Sequence, residues 1–260
     1  MTAILRNESR NRLRGSLVLV GVFALLSAMY FSMFPGIKDD AEAVVEAFPE
    51  AMIEFFGISQ LHTIEGFIAA EIYSFFWVVL VGIYFAYAGA GMIAKDVRSR
   101  RLDLVLSYPV TRESVLLQKV AALWLPLVVL NVAVPVIVHV GALAIGESFD
   151  PVALAMVHLL SVPYFLVCAG IGLVLSVVLD HVRTARASAL GLIVVLWLID
   201  GASALDSDFE WVGALTPSRY YDETGILVFE EYAYADAGIL FVAFVSLVVV
   251  ALVLFRRRDI

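Results

Sequence analysis

Six long apolar runs constrain this chain more than any other feature. They cover roughly residues 17–34, 67–93, 120–145, 152–179, 187–199 and 237–255. A helix needs about 20 predominantly apolar residues to cross a hydrocarbon core. No backbone N–H or C=O can go unpaired there, so helices are the structure such runs adopt. The fifth run is the shortest, and Arg186 at its start is expected to snorkel toward the interface. Hydrophobic residues make up 62% of the chain, against about 45–50% for soluble domains. The expectation is an all-α polytopic membrane protein: six spans in one domain, residues 1–260, with no internal repeat. The first run reads as a retained span, because Met33-Phe34-Pro35 is a poor context for signal cleavage.

The charged residues set the topology. Arg6, Arg10, Arg12 and Arg14 precede the first run. Lys95, Arg98, Arg100, Arg101, Arg112 and Lys119 lie between the second and third. Arg183 and Arg186 follow the fourth run, and Arg256, Arg257 and Arg258 follow the sixth. Of the 17 basic residues, only Lys38 and Arg219 fall in the alternate segments. The positive-inside rule therefore predicts six spans with both termini in the cytoplasm, and a multi-pass protein of the plasma membrane is the expectation. The outer segments are acidic instead, from Asp39 to Glu65 and from Asp206 to Asp236. That excess reads either as a vestibule that concentrates cations or as a surface adapted to high salt, as in halophiles.

Two outer segments are longer than turns. Glu42, Glu46, Glu50 and Glu54 recur every four residues, while Val45, Phe48, Met52, Phe55 and Phe56 gather roughly opposite. This pattern fits a helix lying in the interface. Pro49 either starts a second short helix or kinks a single one. In the later segment Trp211, Tyr220 and Tyr221 sit among acids, a mixture suited to headgroup level.

Catalytic motifs are missing. There is no G-x-x-x-x-G-K-[ST] loop, so the chain is not expected to hydrolyse ATP itself. There is no H-E-x-x-H, no G-x-S-x-G and no zinc-spaced Cys/His cluster. The single cysteine, Cys168, falls in the fourth run and reads as a small buried hydrophobe. No catalytic and no metal-ligating residues are expected. Polar groups inside the runs are few: Glu71, Asn131, His139 and His158. Ionisable groups in lipid are costly, so Asn131, His139 and His158 are candidates for a translocation path. Each can equally be satisfied by one neighbouring helix. Glu71 and Asp200 lie near span ends, where water can reach them. Pro126, Pro135 and Pro163 are expected to kink the third and fourth spans.

The most informative segment joins the second and third runs: KDVRSRRLDLVLSYPVTRESVLLQK. Leu102, Val105 and Leu106 share one helical face, with Arg98 and Arg101 reaching outward. Tyr108 precedes Pro109 and is driven out of the α region, which ends the helix near Ser107. Thr111 is a suitable N-cap for a new helix running into the third span. The expectation is an amphipathic helix from Arg98 to Ser107, a break, and a second helix entering the membrane. A plain basic loop bound to anionic lipid is the simpler alternative.

With these residues in view, the sequence resembles the permease subunit of type-2 ABC transporters, the six-span export permeases. The likeness rests on Asp96, Leu102-Asp103-Leu104 and Ser107-Tyr108-Pro109-Val110-Thr111-Arg112, followed by Lys119. Phe48-Pro49-Glu50-Ala51-Met52, Glu65-Gly66-Phe67 and the closing Phe255-Arg256-Arg257-Arg258-Asp259-Ile260 also look like this family. Asp96 stands where Glu is usual, and Arg100-Arg101 replace Gly-Thr. The resemblance implies that a separate cytoplasmic ABC ATPase binds ATP and Mg and docks on this loop. The coupling residues would be Asp96, Arg98, Arg101, Leu102, Leu104, Val105, Ser107, Tyr108, Pro109, Thr111 and Arg112. It further implies a second permease copy, a membrane-lipid environment, no nucleic acid and no cofactor bound by this chain. An ATPase-independent transporter or channel, or a membrane scaffold, is the competing class; the former predicts paired broken half-helices, which are not evident.

Overall fold

A computed structural model describes residues 2–49, 52, 53, 55, 58, 60–100, 107, 110–205 and 207–258. Among the described residues six helices are long and apolar enough to cross a membrane: Ile4–Lys38, Ile64–Ala90, Arg112–Ala144, Pro151–Val178, Val182–Ala204 and Tyr234–Arg257. They are called spans 1 to 6 below. Most run past the apolar stretches at their basic ends. Span 1, for example, is one helix from Thr2 that carries Arg6, Arg10, Arg12 and Arg14 on its first turns. Hydrogen bonding within a helix does not stop where the hydrocarbon does, so apolar runs understate helix length. Among the described residues no strand occurs.

Local chemistry sets several boundaries. Span 4 opens on Asp150, whose Oδ1 accepts from the N–H groups of Val152 and Ala153 at 2.8 Å, with Pro151 following. This is N-capping with proline at the first helical position. Thr63 Oγ1 caps span 2 by accepting from Gly66 N–H. Span 3 is two helices, Arg112–Ala121 and Trp124–Ala144, joined by a turn at Ala122 and Leu123. This corrects the role expected of Pro126. It stands in the first turn of the second helix, where its missing N–H has no intrahelical acceptor to lose. Pro135 and Pro163 do lie inside helices.

Span 4 is the axis of the bundle, packing along span 2 on one side and span 6 on the other. Its approach to span 2 is backbone to backbone. A Cβ on Gly89 would overlap the Ala169 carbonyl, and one on Gly172 would overlap the Ala86 carbonyl. Small residues let membrane helices come this close and gain dispersion contact. Between Ala69 and Val81, span 2 is wound as a π-helix, a rare winding frequent at functional sites. Tyr73 and Trp77 from this stretch lie fully buried, and the Trp77 ring stands edge-on to Phe23, His158 and Phe165. Span 1 packs along span 3. The outward faces of spans 1, 3, 5 and 6 remain apolar and exposed, as Val18, Val132, Val195 and Val242 illustrate.

The four basic segments meet at one end of the bundle. Lys119 bonds to Glu8, Arg112 to the carbonyl of Phe255, and Arg258 to Asp180. At the other end Lys38 bonds to Glu147 at 2.6 Å and Arg219 to Glu210 at 2.6 Å. The two basic residues of the acidic segments are thus both ion-paired. A short helix there, Glu223–Phe229, is capped by Asp222 and buries Ile226 and Leu227 against spans 2 and 4. In the first acidic segment, a helix covers Ala41–Glu46. Past it, the N–H groups of Met52 and Ile53 bond to the Pro49 carbonyl. Of the proposed amphipathic faces there, Glu50, Glu54 and Phe56 lie outside the described residues.

Candidate functional site

The segment between spans 2 and 3 is held by polar contacts at both of its roots, buried at the first and part-buried to exposed at the second. Span 2 ends at Ala90, and a short helix, Ala94–Arg98, follows. The N–H groups of Ile93 and Ala94, otherwise unpaired at that helix start, both donate to Ser176 Oγ of span 4 at 2.9 Å. Side-chain oxygens are the usual acceptors for such orphan donors; here the oxygen comes from another span.

Asp96 lies on this helix. Its Oδ2 is 2.6 Å from the Lys119 ammonium, which also donates to Glu8 Oε1 at 2.8 Å. The Lys119 side chain is 3% exposed. An ammonium withdrawn from water is tolerated where charged acceptors surround it, and two carboxylates do so here. Glu8 also faces Arg12 one turn along span 1. The contact therefore ties together the exit of span 2, the entry to span 3 and the first turns of span 1.

The other root is fastened to the chain's last helix. Thr111 Oγ1 accepts from Ser114 N–H at 3.2 Å, capping the helix Arg112–Ala121. Arg112 Nη1 donates to the carbonyls of Phe255 at 3.1 Å and Arg258 at 2.6 Å. A cation over the final carbonyls of a helix satisfies orphan acceptors and opposes the negative end of the dipole. Glu113 bonds to Arg256 at 2.5 Å. Arg258 in turn donates to the Val177 carbonyl at 2.6 Å and to Asp180 at 2.8 Å, closing the end of span 4.

Among the coupling candidates, Asp96, Thr111 and Arg112 belong to this frame. Arg98 ends the short helix, and Ser107 sits in a turn. The helix that contains Arg98 runs Ala94–Arg98, and Ser99 and Arg100 turn after it, so the described part differs from a helix beginning at Arg98. Arg100 has φ 52°, the left-handed region where a Cβ is costly. Gly, usual there in the similar permeases, would adopt it without that cost. Arg101, Leu102, Leu104, Val105, Tyr108 and Pro109 lie outside the described residues. Glu8, Ser176 and Arg258 were not anticipated. Glu8 carried a signal, as the one acid ahead of Asp39 in a basic segment; Arg258 was marked only as one of three closing basic residues, and Ser176 carried no signal.

The three intramembrane candidates converge elsewhere. Asn131, His139 and His158 all line a cleft of about 510 Å³ between spans 3 and 4, with Pro135, Val136, Leu159 and Val162. Asn131 Nδ2 donates to the Leu127 carbonyl at 2.9 Å, and its Oδ1 accepts from Ser161 Oγ at 3.3 Å. His158 Nε2 is 2.9 Å from Tyr73 Oη, while its Nδ1 is buried with no partner. His158 thus fastens span 4 to the π-helical stretch of span 2. His139 is part-exposed on the cleft wall.

A polar cavity of about 300 Å³ opens at the acidic end, lined by Asp200, Asp222, Glu223, Ser74, Trp197 and Tyr221 among others. Burial, together with the charges of Asp222 and Asp200, pushes the Glu223 carboxyl up to about 8.

The family model described as ABC-2 family transporter protein matches residues 2–260. Among curated proteins none matches the chain.

Proposed function

The chain belongs to the ABC-2 transporter family, and from that premise we propose that it is an export permease driven by a separate cytoplasmic ATPase. As a family member it is a membrane component of an ABC transporter. The ATPase docks on the segment between spans 2 and 3, at the coupling stretch from Arg98 to Ser107, and ATP binding by two such subunits moves the spans of two permease copies. The plasma membrane is the setting, with both termini on the ATPase side.

One observation carries this reading: both roots of the segment are bonded to other spans. Through Lys119, a displacement of the Asp96 root bears on spans 1 and 3 together. Through Arg112 and Glu113, the opposite root bears on span 6, and Arg258 links that end to span 4. A loop that only touched lipid would need no such frame. A buried charge costs several kcal/mol to desolvate, and Lys119, 3% exposed, stands at one root of the segment that a motor would push. The cleft shared by Asn131, His139 and His158 is proposed as the part of the chain that meets the cargo, whose identity the sparse polar lining leaves open.

The test is copurification and ATPase stimulation with the cognate ATPase, comparing wild type with Leu104→Asp and Pro109→Ala. Loss of binding or stimulation is the expected result. If both variants bind and stimulate like wild type, the segment does not couple.

A further inference from the structure

A second basic feature at the same end of the bundle is not used by the loop frame. Span 5 begins at Val182, after His181, which provides no side-chain cap. Arg183 and Arg186 lie in its first two turns. With Tyr87 of span 2, Ala187 and Leu190, they line a cavity of about 410 Å³. The Arg186 guanidinium lies 4.1 Å from the Tyr87 ring centroid, a cation–π distance. A Cβ on Gly91 would stand 2.8 Å from Arg186 Nη2, so glycine makes room for this packing. Arg186 Nε is buried with no hydrogen-bond partner, and Arg183 makes no ion pair among the described residues.

The acids on the adjoining elements are committed elsewhere. Asp96 holds Lys119, and Asp180, just ahead of span 5, holds Arg258. The cavity therefore presents two guanidinium groups to one volume. Both favour an anion. A guanidinium held against a ring face loses less freedom when it binds the paired oxygens of a phosphoryl group.

The order of residues along span 5 narrows the ligand. Arg183 comes first, Arg186 one turn deeper, and Leu190 another turn deeper, about 10 Å from Arg183 at 1.5 Å rise per residue. Leu190 is exposed. The cavity is thus cationic at the bundle's basic end and apolar toward its middle, the arrangement of a phospholipid standing in one leaflet. A free phosphate would use only the outer part. We propose that this cavity binds the phosphoryl headgroup of an anionic membrane lipid, with Arg183 and Arg186 on the phosphate and one acyl chain along Leu190. Basic pockets between membrane helices hold such headgroups.

The experiment uses the purified full-length chain in detergent, titrated with phosphatidylglycerol, with phosphatidylcholine and with inorganic phosphate. Binding is read by native mass spectrometry and by the shift in melting temperature. Phosphatidylglycerol is expected to bind and stabilise, with Arg186→Gln and Arg183→Gln each weakening it about tenfold. Arg183 is exposed, so its variant carries the test even if Arg186→Gln folds poorly. The proposal is overturned if Arg183→Gln, or a well-folded Arg186→Gln, binds phosphatidylglycerol like wild type. Binding of phosphatidylcholine with equal affinity would also overturn it, as would inorganic phosphate giving the full stabilisation by itself. A change of oligomeric state in the variants, with lipid binding intact, would assign the cavity to a second copy instead and end the lipid reading.

Discussion

Lys119 and Asp96 lie twenty-three residues apart in sequence, and their charged atoms are 2.6 Å apart across the mouth of the loop that separates spans 2 and 3. Glu8 completes the contact from span 1 at 2.8 Å. Removing the ammonium leaves Asp96 without this counter-charge and Glu8 with Arg12 alone, 4.0 Å away. Breaking a buried ion pair by deleting one partner costs about 3–5 kcal/mol. Glu8 and Asp96 keep 23% and 14% of their side-chain surface, so water screens part of that loss and about 2–3 kcal/mol is expected. Lys119→Met should lower the melting temperature in detergent and reduce stimulation of the partner ATPase more than it reduces binding. Lys119→Arg should recover part of both. Measured stimulation equal to wild type in a folded Lys119→Met protein would show that the contact transmits nothing.

Span existence, and the end at which the basic segments gather, were legible because period and hydrophobicity act over many residues at once. Thr111 was legible for a local reason: a hydroxyl residue after proline and ahead of an apolar helix has few other uses. The frame was not. Ser176 sits in an ordinary apolar span, and nothing in its neighbours announces that it will cap a helix eighty residues earlier. Arg258 looks like one more inside charge until its carbonyl acceptors on span 4 are seen. Pro126 was misjudged because span 3 was read as one helix. The turn at Ala122 and Leu123 moves that proline from a helix interior to a helix start. The candidates Asn131, His139 and His158 were found by polarity alone, and their convergence on one cleft depends on span packing that no local pattern encodes.

The seam between spans 2 and 4 leaves no room for added atoms. Gly172→Leu would drive a side chain into the Ala86 carbonyl, and overpacking commonly costs about 1–3 kcal/mol. Backbone cannot yield as a flexible side chain does, so the upper part of that range or beyond is expected. The variant should be recovered in low amount and melt well below wild type. Gly21→Leu is the control, because a Cβ there meets nothing within 4 Å. Equal yields and melting temperatures would show that the two spans are not closely packed.

The Glu223 carboxyl, raised to about 8 from a usual value of 4.5, makes stability pH-dependent with a defined sign. Between the two values the folded state holds a proton that the unfolded state has released. Stability is therefore fully present below about pH 4.5 and falls as pH rises through about 8. Melting temperature should decline between pH 6 and pH 8.5, and Glu223→Gln should flatten the decline. A wild-type profile that stays level over this range, or a variant that follows the same slope, would remove Glu223 from the account. Solvent in the adjoining cavity screens the charge, so a modest slope is expected.

The inward orientation expected of the basic end is tested directly by labelling. Cys168 is buried, so Arg10→Cys at the basic end and Glu231→Cys at the acidic end each add one accessible thiol. In intact cells an impermeant maleimide should label Glu231→Cys and spare Arg10→Cys, with both labelled after lysis. Labelling of Arg10→Cys in intact cells would reverse the predicted orientation and leave the frame facing away from any cytoplasmic ATPase.

The Tyr73–His158 hydrogen bond separates two meanings of the histidine. If His158 serves only to fasten span 4 to span 2, removing either partner should have like effects. Interhelical hydrogen bonds in membranes average about 0.6 kcal/mol and reach about 1.7 kcal/mol. Tyr73→Phe should accordingly lower stability by about 1 kcal/mol, measured by unfolding in mixed detergent, with transport nearly unchanged. His158→Ala removes the same bond and also the buried Nδ1 beside the cleft of Asn131 and His139. If that cleft meets the cargo, His158→Ala should cut transport severalfold beyond Tyr73→Phe at matched stability. Alanine at Asn131 and His139 should then deepen the defect. Transport that survives all three alanine substitutions would leave His158 as a fastening between spans and the cleft as a feature of packing alone.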